Sequence, residues 1–230
     1  MRVIGLIGGM SWESTAEYYR VANELVRERR GGYRSARIVL TSVDFADVER
    51  LQATGDWAAA GELLAAEARR LEAAGADLVV LCTNTMHKVA DAVAAAVDVP
   101  FLHLADTTAA AVQGAGVRRV GLLGTRFTME QAFYRDRLAE HGLEVLVPDQ
   151  AGREVVHRVI YDELVHGVVR AESREAYAAV MSELVERGAE GIVLGCTEIE
   201  LLVGAEDTTV PVFPTTRLHV EAAVAAALGE

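Results

Sequence analysis

Residues 71–85, L-E-A-A-G-A-D-L-V-V-L-C-T-N-T, and residues 184–198, L-V-E-R-G-A-E-G-I-V-L-G-C-T-E, repeat one pattern at a separation of 113 positions. Gly75 aligns with Gly188, Ala76 with Ala189 and Leu81 with Leu194. In each copy a segment of helical period stops at a glycine, and an apolar run follows that ends in small polar residues. The residue opposite Cys196 is Thr83. A duplicated fold puts its two equivalent strand ends on either side of one cleft. Two facing side chains there can work on opposite faces of one small molecule, an arrangement suited to moving protons at a carbon.

Outward from this pair, the first strands of the two halves match as well. G-L-I-G at 5–8 answers G-L-L-G at 121–124, and aromatic pairs follow each, Tyr18-Tyr19 and Phe133-Tyr134. This second match has a separation of 116, so a few residues are inserted between the two landmarks. Apolar runs alternate with longer Ala/Glu/Arg/Leu segments, the pattern of βαβ units on a parallel sheet. Strands are predicted near 2–7, 37–43, 77–82, 99–103, 118–123, 144–147, 190–195 and 210–213. Helices are predicted between them, among them 57–74, ending at Gly75, and 172–187, ending at Gly188. The fold class expected is α/β, with two similar Rossmann-like domains on parallel sheets, related by internal duplication, and the active site in the interdomain cleft. The first domain is expected to take residues 1–102 plus 208–230, with the last strand and helix returning to complete it, and the second 103–207. A repeat this long makes a pair of domains rather than a solenoid.

Bulk properties narrow the partners. The 230 residues suffice for one large or two small α/β domains with their own cores. Hydrophobic residues make up 51% and aromatic ones only 6%, so Ala, Val and Leu must fill the space between helices and sheets. A net charge of −12 argues against nucleic acid or an anionic membrane, since phosphate binding needs a basic stripe and only short, interrupted Arg pairs occur. No 18-residue uncharged apolar run exists and the chain starts with a strand-like segment, so neither a membrane span nor a signal peptide is expected, and the location expected is cytoplasmic. There Cys82 and Cys196 are free thiols, and two thiols without clustered histidines make a poor zinc site. Lys88 is the single lysine, hence the one residue that could form a pyridoxal-phosphate Schiff base.

Ligands of parallel α/β sheets bind beyond the carboxyl ends of the strands. The segments at those ends are G-G-M-S at 8–11, S-V-D at 42–44, T-N-T-M-H at 83–87, G-T-R-F-T at 124–128 and C-T-E at 196–198. They are rich in small hydroxyl and amide residues and in backbone donors suited to a carboxylate. G-x-x-G-G at the first strand lacks the spacing that a dinucleotide pyrophosphate needs, and no P-loop signature occurs. Cys196 is the sharpest candidate for chemistry: it follows a strand and a glycine and precedes polar residues that open a helix, where free N–H groups favour a thiolate. Strand side chains alternate faces, so Cys82 and Thr83 cannot both point to the ligand, and the internal alignment selects Thr83. His87 and His157 read as surface or cleft-lining residues, and Arg126 as either a surface residue or a reader of a side-chain carboxylate.

With these motifs assembled, the chain resembles the cofactor-independent aspartate/glutamate racemase superfamily, in its aspartate racemase-like branch. The stretches that carry the resemblance are G-L-I-G-G-M-S-W-E-S-T at 5–15 with Tyr18, Tyr19 and Asn23, S-V-D-F at 42–45, Gln52 with G-D-W at 55–57, C-T-N-T-M-H-K-V at 82–89, L-L-G-T at 122–125 and G-C-T-E-I at 195–199. The resemblance implies two α/β domains with the active site between them, no cofactor, no metal, a small-molecule amino-acid substrate and a homodimer. It also implies two cysteines flanking the substrate Cα. One corresponds to Cys196, but the other corresponds to Thr83, a far weaker base.

The mechanism expected makes Cys196 the dominant base and Thr83 the donor or relay on the opposite face. Substrate contacts are expected from Met10 and Ser11 in the first loop, Asn84, Thr85, Thr125, Thr197 and Glu198, with Gln52 reading the side-chain end. Two rival readings stand beside it: a single-cysteine decarboxylase or isomerase on the same fold, and a non-catalytic protein that binds an acidic amino acid.

Overall fold

The computed structural model describes residues 1–230, and the chain divides into two compact units, Met1–Leu104 with His219–Glu230 and Ala105–Leu218. In the first unit β1 (Ile4–Gly8), α1 (Trp12–Arg30), β2 (Ile38–Ser42), α2 (Phe45–Thr54), α3 (Trp57–Ala73) and β3 (Leu78–Leu81) follow in order. A 3-10 turn (Thr85–Val89), α4 (Ala90–Ala94) and the short β4 (Phe101–Leu102) come next. The sheet order is β2-β1-β3-β4, every pair parallel.

The second unit repeats that plan. It contains α5 (Leu104–Gly114) from Ala105 onward, β5 (Arg119–Gly124), α6 (Arg126–Glu130), α7 (Ala132–Glu140), β6 (Glu144–Leu146), α8 (Gln150–Asp162), α9 (Ala171–Glu186), β7 (Gly191–Gly195) and β8 (Val212–Pro214). Its order is β6-β5-β7-β8, again parallel throughout. All eight strands lie where the apolar runs place them. One assignment is corrected: β8 pairs with β7, Ile192 opposite Val212, so the last strand completes the second sheet and not the first. The return expected for residues 208–230 begins at His219, inside α10 (Thr215–Leu228).

The duplicated segment has a local cause. Gly75 and Gly188 adopt φ of +89° and +97° just past α3 and α9. Ala76 N–H reaches back to Leu71 O at 3.0 Å and Gly75 N–H to Glu72 O at 2.9 Å; Ala189 to Leu184 and Gly188 to Val185 repeat the pair, both at 2.9 Å. This lock satisfies the last helical carbonyls and lays Leu71 on Ala76, and Leu184 on Ala189, before the chain enters the strand. The repeated L-x-x-x-G-A is thus a helix stop that aims β3 and β7.

Each unit buries its own apolar residues. On one face of the first sheet Ile4, Leu6, Leu78, Val80 and Cys82 pack with α1 and α10; on the other, Ile7, Val79 and Leu81 pack with α2 and α3. The second unit's core joins Leu123, Ile192 and Leu194 to α8 and α9. No helix is long and apolar enough to cross a membrane.

Candidate functional site

In the first unit the carboxyl ends of the strands gather Gly8–Ser11, Ser42–Asp44, Thr83–His87 and His103. Thr15 ties the first of these loops down, since its Oγ1 accepts from Gly9 N at 2.9 Å and donates to Ser11 O at 2.9 Å. Ser11 caps α1, its side chain accepting from Ser14 N. Met10 is a correction to the expected substrate contacts: its side chain is buried in the core with Ile7, Val48 and Met86, so only its main chain borders the loop. Gln52 is buried and donates from Nε2 to Met86 Sδ at 3.0 Å, which ties its amide nitrogen to the protein. Asn84 and Thr85 are also buried, beside the half-buried Thr83.

Cys82 and Thr83 part as strand geometry requires. Cys82 is fully buried among Ile4, Leu6 and Tyr18, and burial pushes its thiol far up from the usual range. The Thr83 main chain is held at both ends: its N–H donates to Leu81 O at 2.9 Å, and its carbonyl lies 2.6 Å from His87 Nδ1. His87 is only 3% exposed, so it is neither a surface nor a cleft-lining residue. Burial foremost, then the neighbouring His103 and His219, holds it well below the usual histidine range, against the opposing pull of the Thr83 carbonyl.

In the second unit the strand ends present Thr125, Cys196–Glu198 and Thr215–Thr216. Cys196 leaves β7 with an extended backbone, and its Sγ donates to Glu198 Oε2 at 2.9 Å. Glu198 was expected on the substrate; it is turned onto the thiol. That contact also corrects the expectation of a thiolate. Burial first, then the negative charge and hydrogen bond of Glu198, pushes the Cys196 thiol well above its usual range. The turn after it, Thr197–Leu201, is a 3-10 helix of 5 residues, too short to offset those effects. Cys196 therefore rests as a thiol with an acceptor in contact.

Replacing Glu198 by Gln removes the charge that opposes ionisation. A hydrogen bond to a charged group is worth about 1.5–3 kcal/mol, so alkylation of Cys196 by iodoacetamide at fixed pH is expected to quicken roughly tenfold. A rate equal to or slower than wild type would show that Glu198 does not hold the proton on sulfur.

Thr197 Oγ1 and Thr216 Oγ1 lie 2.6 Å apart, and Thr215 Oγ1 donates to Leu194 O at 2.8 Å, so these hydroxyls fasten the end of β8 to the Cys196 turn. Thr125 caps α6, accepting from Thr128 N. Arg126 is exposed, with its N–H donated to His157 Nδ1 at 3.3 Å. Thr15, Thr215 and Thr216 were not anticipated; the run P-T-T at 214–216 directly after a strand was the available sign. No group of three or more His, Cys, Asp or Glu side chains is placed to hold a metal ion.

Two parallel sheets of the same order, with a thiol at one strand end and a hydroxyl at its equivalent, define a duplicated α/β protein. The chain belongs to the Asp/Glu/hydantoin racemase family, whose profile matches residues 7–223. It is 54% identical to an Asp/Glu racemase candidate from Yersinia pestis, covering 99% of this chain and 100% of that one, with a TM-score of 0.94. An aspartate racemase homologue from Pyrococcus horikoshii OT3 is 35% identical over 99% of this chain and 100% of that one, at a TM-score of 0.88. The broad specificity amino-acid racemase RacX of Bacillus subtilis is 23% identical over 154 residues, 64% of this chain and 63% of that protein.

Proposed function

We propose that the protein racemises acidic amino acids, aspartate or glutamate, without a cofactor. The observation that carries this reading is the Cys196 thiol held 2.9 Å from Glu198 at the strand end equivalent to Thr83. In the proposed cycle the thiol proton passes to Glu198, and the Cys196 thiolate takes the substrate's Cα proton. The Thr83 hydroxyl, directly or through a water, gives a proton to the opposite face; Glu198 then releases its proton to solvent while Thr83 takes one up, which returns both residues to their starting state. Backbone groups of Gly9–Ser11, with Asn84 and Thr85, hold the substrate carboxylate and stabilise the charge that builds on it. General acid–base catalysis contributes roughly 10²–10⁴-fold, too little alone for so weak an acid as Cα–H, so fixed donors on the developing dianion must supply several kcal/mol more.

Unequal partners imply unequal directions. The equilibrium constant of racemisation is one, so kcat/KM must be equal from both enantiomers. The asymmetry therefore appears as kcat values that differ by about tenfold or more, with KM differing in step. The experiment incubates the protein in deuterated water with each enantiomer of aspartate and glutamate, with no cofactor added. It follows Cα deuterium by NMR and inversion by chiral chromatography. Failure to exchange any Cα proton would sink the racemase reading; exchange with equal kcat in both directions would remove the roles given to Cys196 and Thr83.

A further inference from the structure

Thr83 is the weak member of the proposed pair, and its hydroxyl can serve only if it is aimed. Its peptide N–H is tied to Leu81 O at 2.9 Å and its carbonyl to His87 Nδ1 at 2.6 Å, which leaves the side-chain torsion as its remaining freedom. The other ring nitrogen of His87 accepts from Leu104 N at 3.1 Å. A peptide N–H only donates, so Nε2 carries no proton and Nδ1 does. His87 is thus a neutral donor to Thr83, bridging the end of β3 to the residue that opens α5.

Three rings pack around His87. His103 lies with its ring centre 4.7 Å away, and Phe101 and His219 at 5.8 and 5.7 Å. His219 is itself fixed, lying 2.9 Å by Nδ1 from Tyr18 OH and 2.8 Å by Nε2 from Leu102 O, so the ring accepts from the tyrosine and donates to the carbonyl. Burial pushes His219 down to about 4, so it brings no charge near His87 at neutral pH.

We propose that His87 is a positioning residue for Thr83: by donating from Nδ1 to the Thr83 carbonyl it sets the direction of the hydroxyl that delivers the returning proton. This rests on the racemase reading of Thr83 given above. A histidine that only filled the core would affect both faces of the reaction alike. A positioning residue affects the Thr83 face alone.

The test follows one enantiomer of aspartate in deuterated water, the one that loses its Cα proton faster, and measures two products. Deuterated substrate of unchanged configuration reports return of the proton from the Cys196 side; inverted product reports delivery from the Thr83 side. For His87→Ala the ratio of inversion to retained exchange should fall about tenfold or more, with retained exchange within about twofold of wild type. His87→Asn can place an N–H where Nδ1 was and should restore the ratio; His87→Gln reaches only the Nε2 position and should not. Circular dichroism confirms the fold, and if His87→Ala fails to fold, the contrast between the Asn and Gln variants decides alone. An equal fall in both products, an unchanged ratio, or rescue by Gln and not by Asn would overturn the positioning role. A wild-type protein that exchanges no Cα proton would instead overturn the racemase reading, and the role of His87 with it.

Discussion

Replacing Cys196 by alanine is expected to cut Cα deuterium uptake roughly 10²–10⁴-fold, the worth of a positioned acid–base group. Cys196 is the thiol at the strand end, its Sγ 2.9 Å from Glu198 Oε2. Cys82, the residue directly before Thr83, provides the control. Its sulfur lies in the core beside Ile4, Leu6 and Tyr18, so Cys82→Ala removes packing and costs about 1 kcal/mol, with exchange kept within about twofold. Deuterium exchange by NMR and a urea titration measure the two effects separately. Exchange abolished by Cys82→Ala and retained by Cys196→Ala would reverse the assignment of the two cysteines.

The second large effect is on stability. Gly9 has φ of +96°, and a Cβ there would overlap the Val43 carbonyl oxygen and stand 2.7 Å from the Val43 nitrogen. Backbone cannot yield as a side chain does, because Val43 N–H is bonded to Gly8 O at 3.0 Å between β1 and the end of β2. Gly9→Ala should therefore lower the unfolding free energy by about 3 kcal/mol or more, combining left-handed strain with a clash. Gly75→Ala, with φ of +89° but nothing within 4 Å of its Cβ, pays the strain alone, about 1–2 kcal/mol. The two variants compared by urea denaturation separate strain from clash; equal losses would show that the loop moves aside for the added methyl.

Local pattern carried much of the fold. Eight apolar runs became eight strands, most clearly the central β1, β3, β5 and β7, because a strand buried on both faces between helices must be apolar throughout. The glycines at 75 and 188 marked the helix stops, because only glycine takes that backbone without strain. Alternation of side chains separated Cys82 from Thr83, since neighbours on a strand end point to opposite sides. What failed was the partner of the last strand. The run near 210–213 is a strand by composition, but its partner depends on pairing with residues about 20 positions earlier, which composition does not encode.

The site shows the same division. Cys196 and Glu198 were both legible as polar residues at a strand end, yet their roles turned on one contact. The extended backbone at Cys196 followed by a tight turn brings the thiol onto the carboxylate, and burial there outweighs the few free N–H groups of the short helix. His87 was legible as a histidine in T-N-T-M-H; its function as donor to Thr83 depends on Leu104, 17 positions away, supplying the hydrogen bond that selects its tautomer.

Sequence by itself thus determined the duplicated α/β plan, the helix stops and the equivalence of Thr83 with Cys196, because each is written in residues close along the chain. Tertiary structure alone decided which sheet the last strand joins, that Cys196 rests as a thiol and that His87 is a neutral donor. Those outcomes depend on burial and on hydrogen-bond partners that only the folded chain brings together.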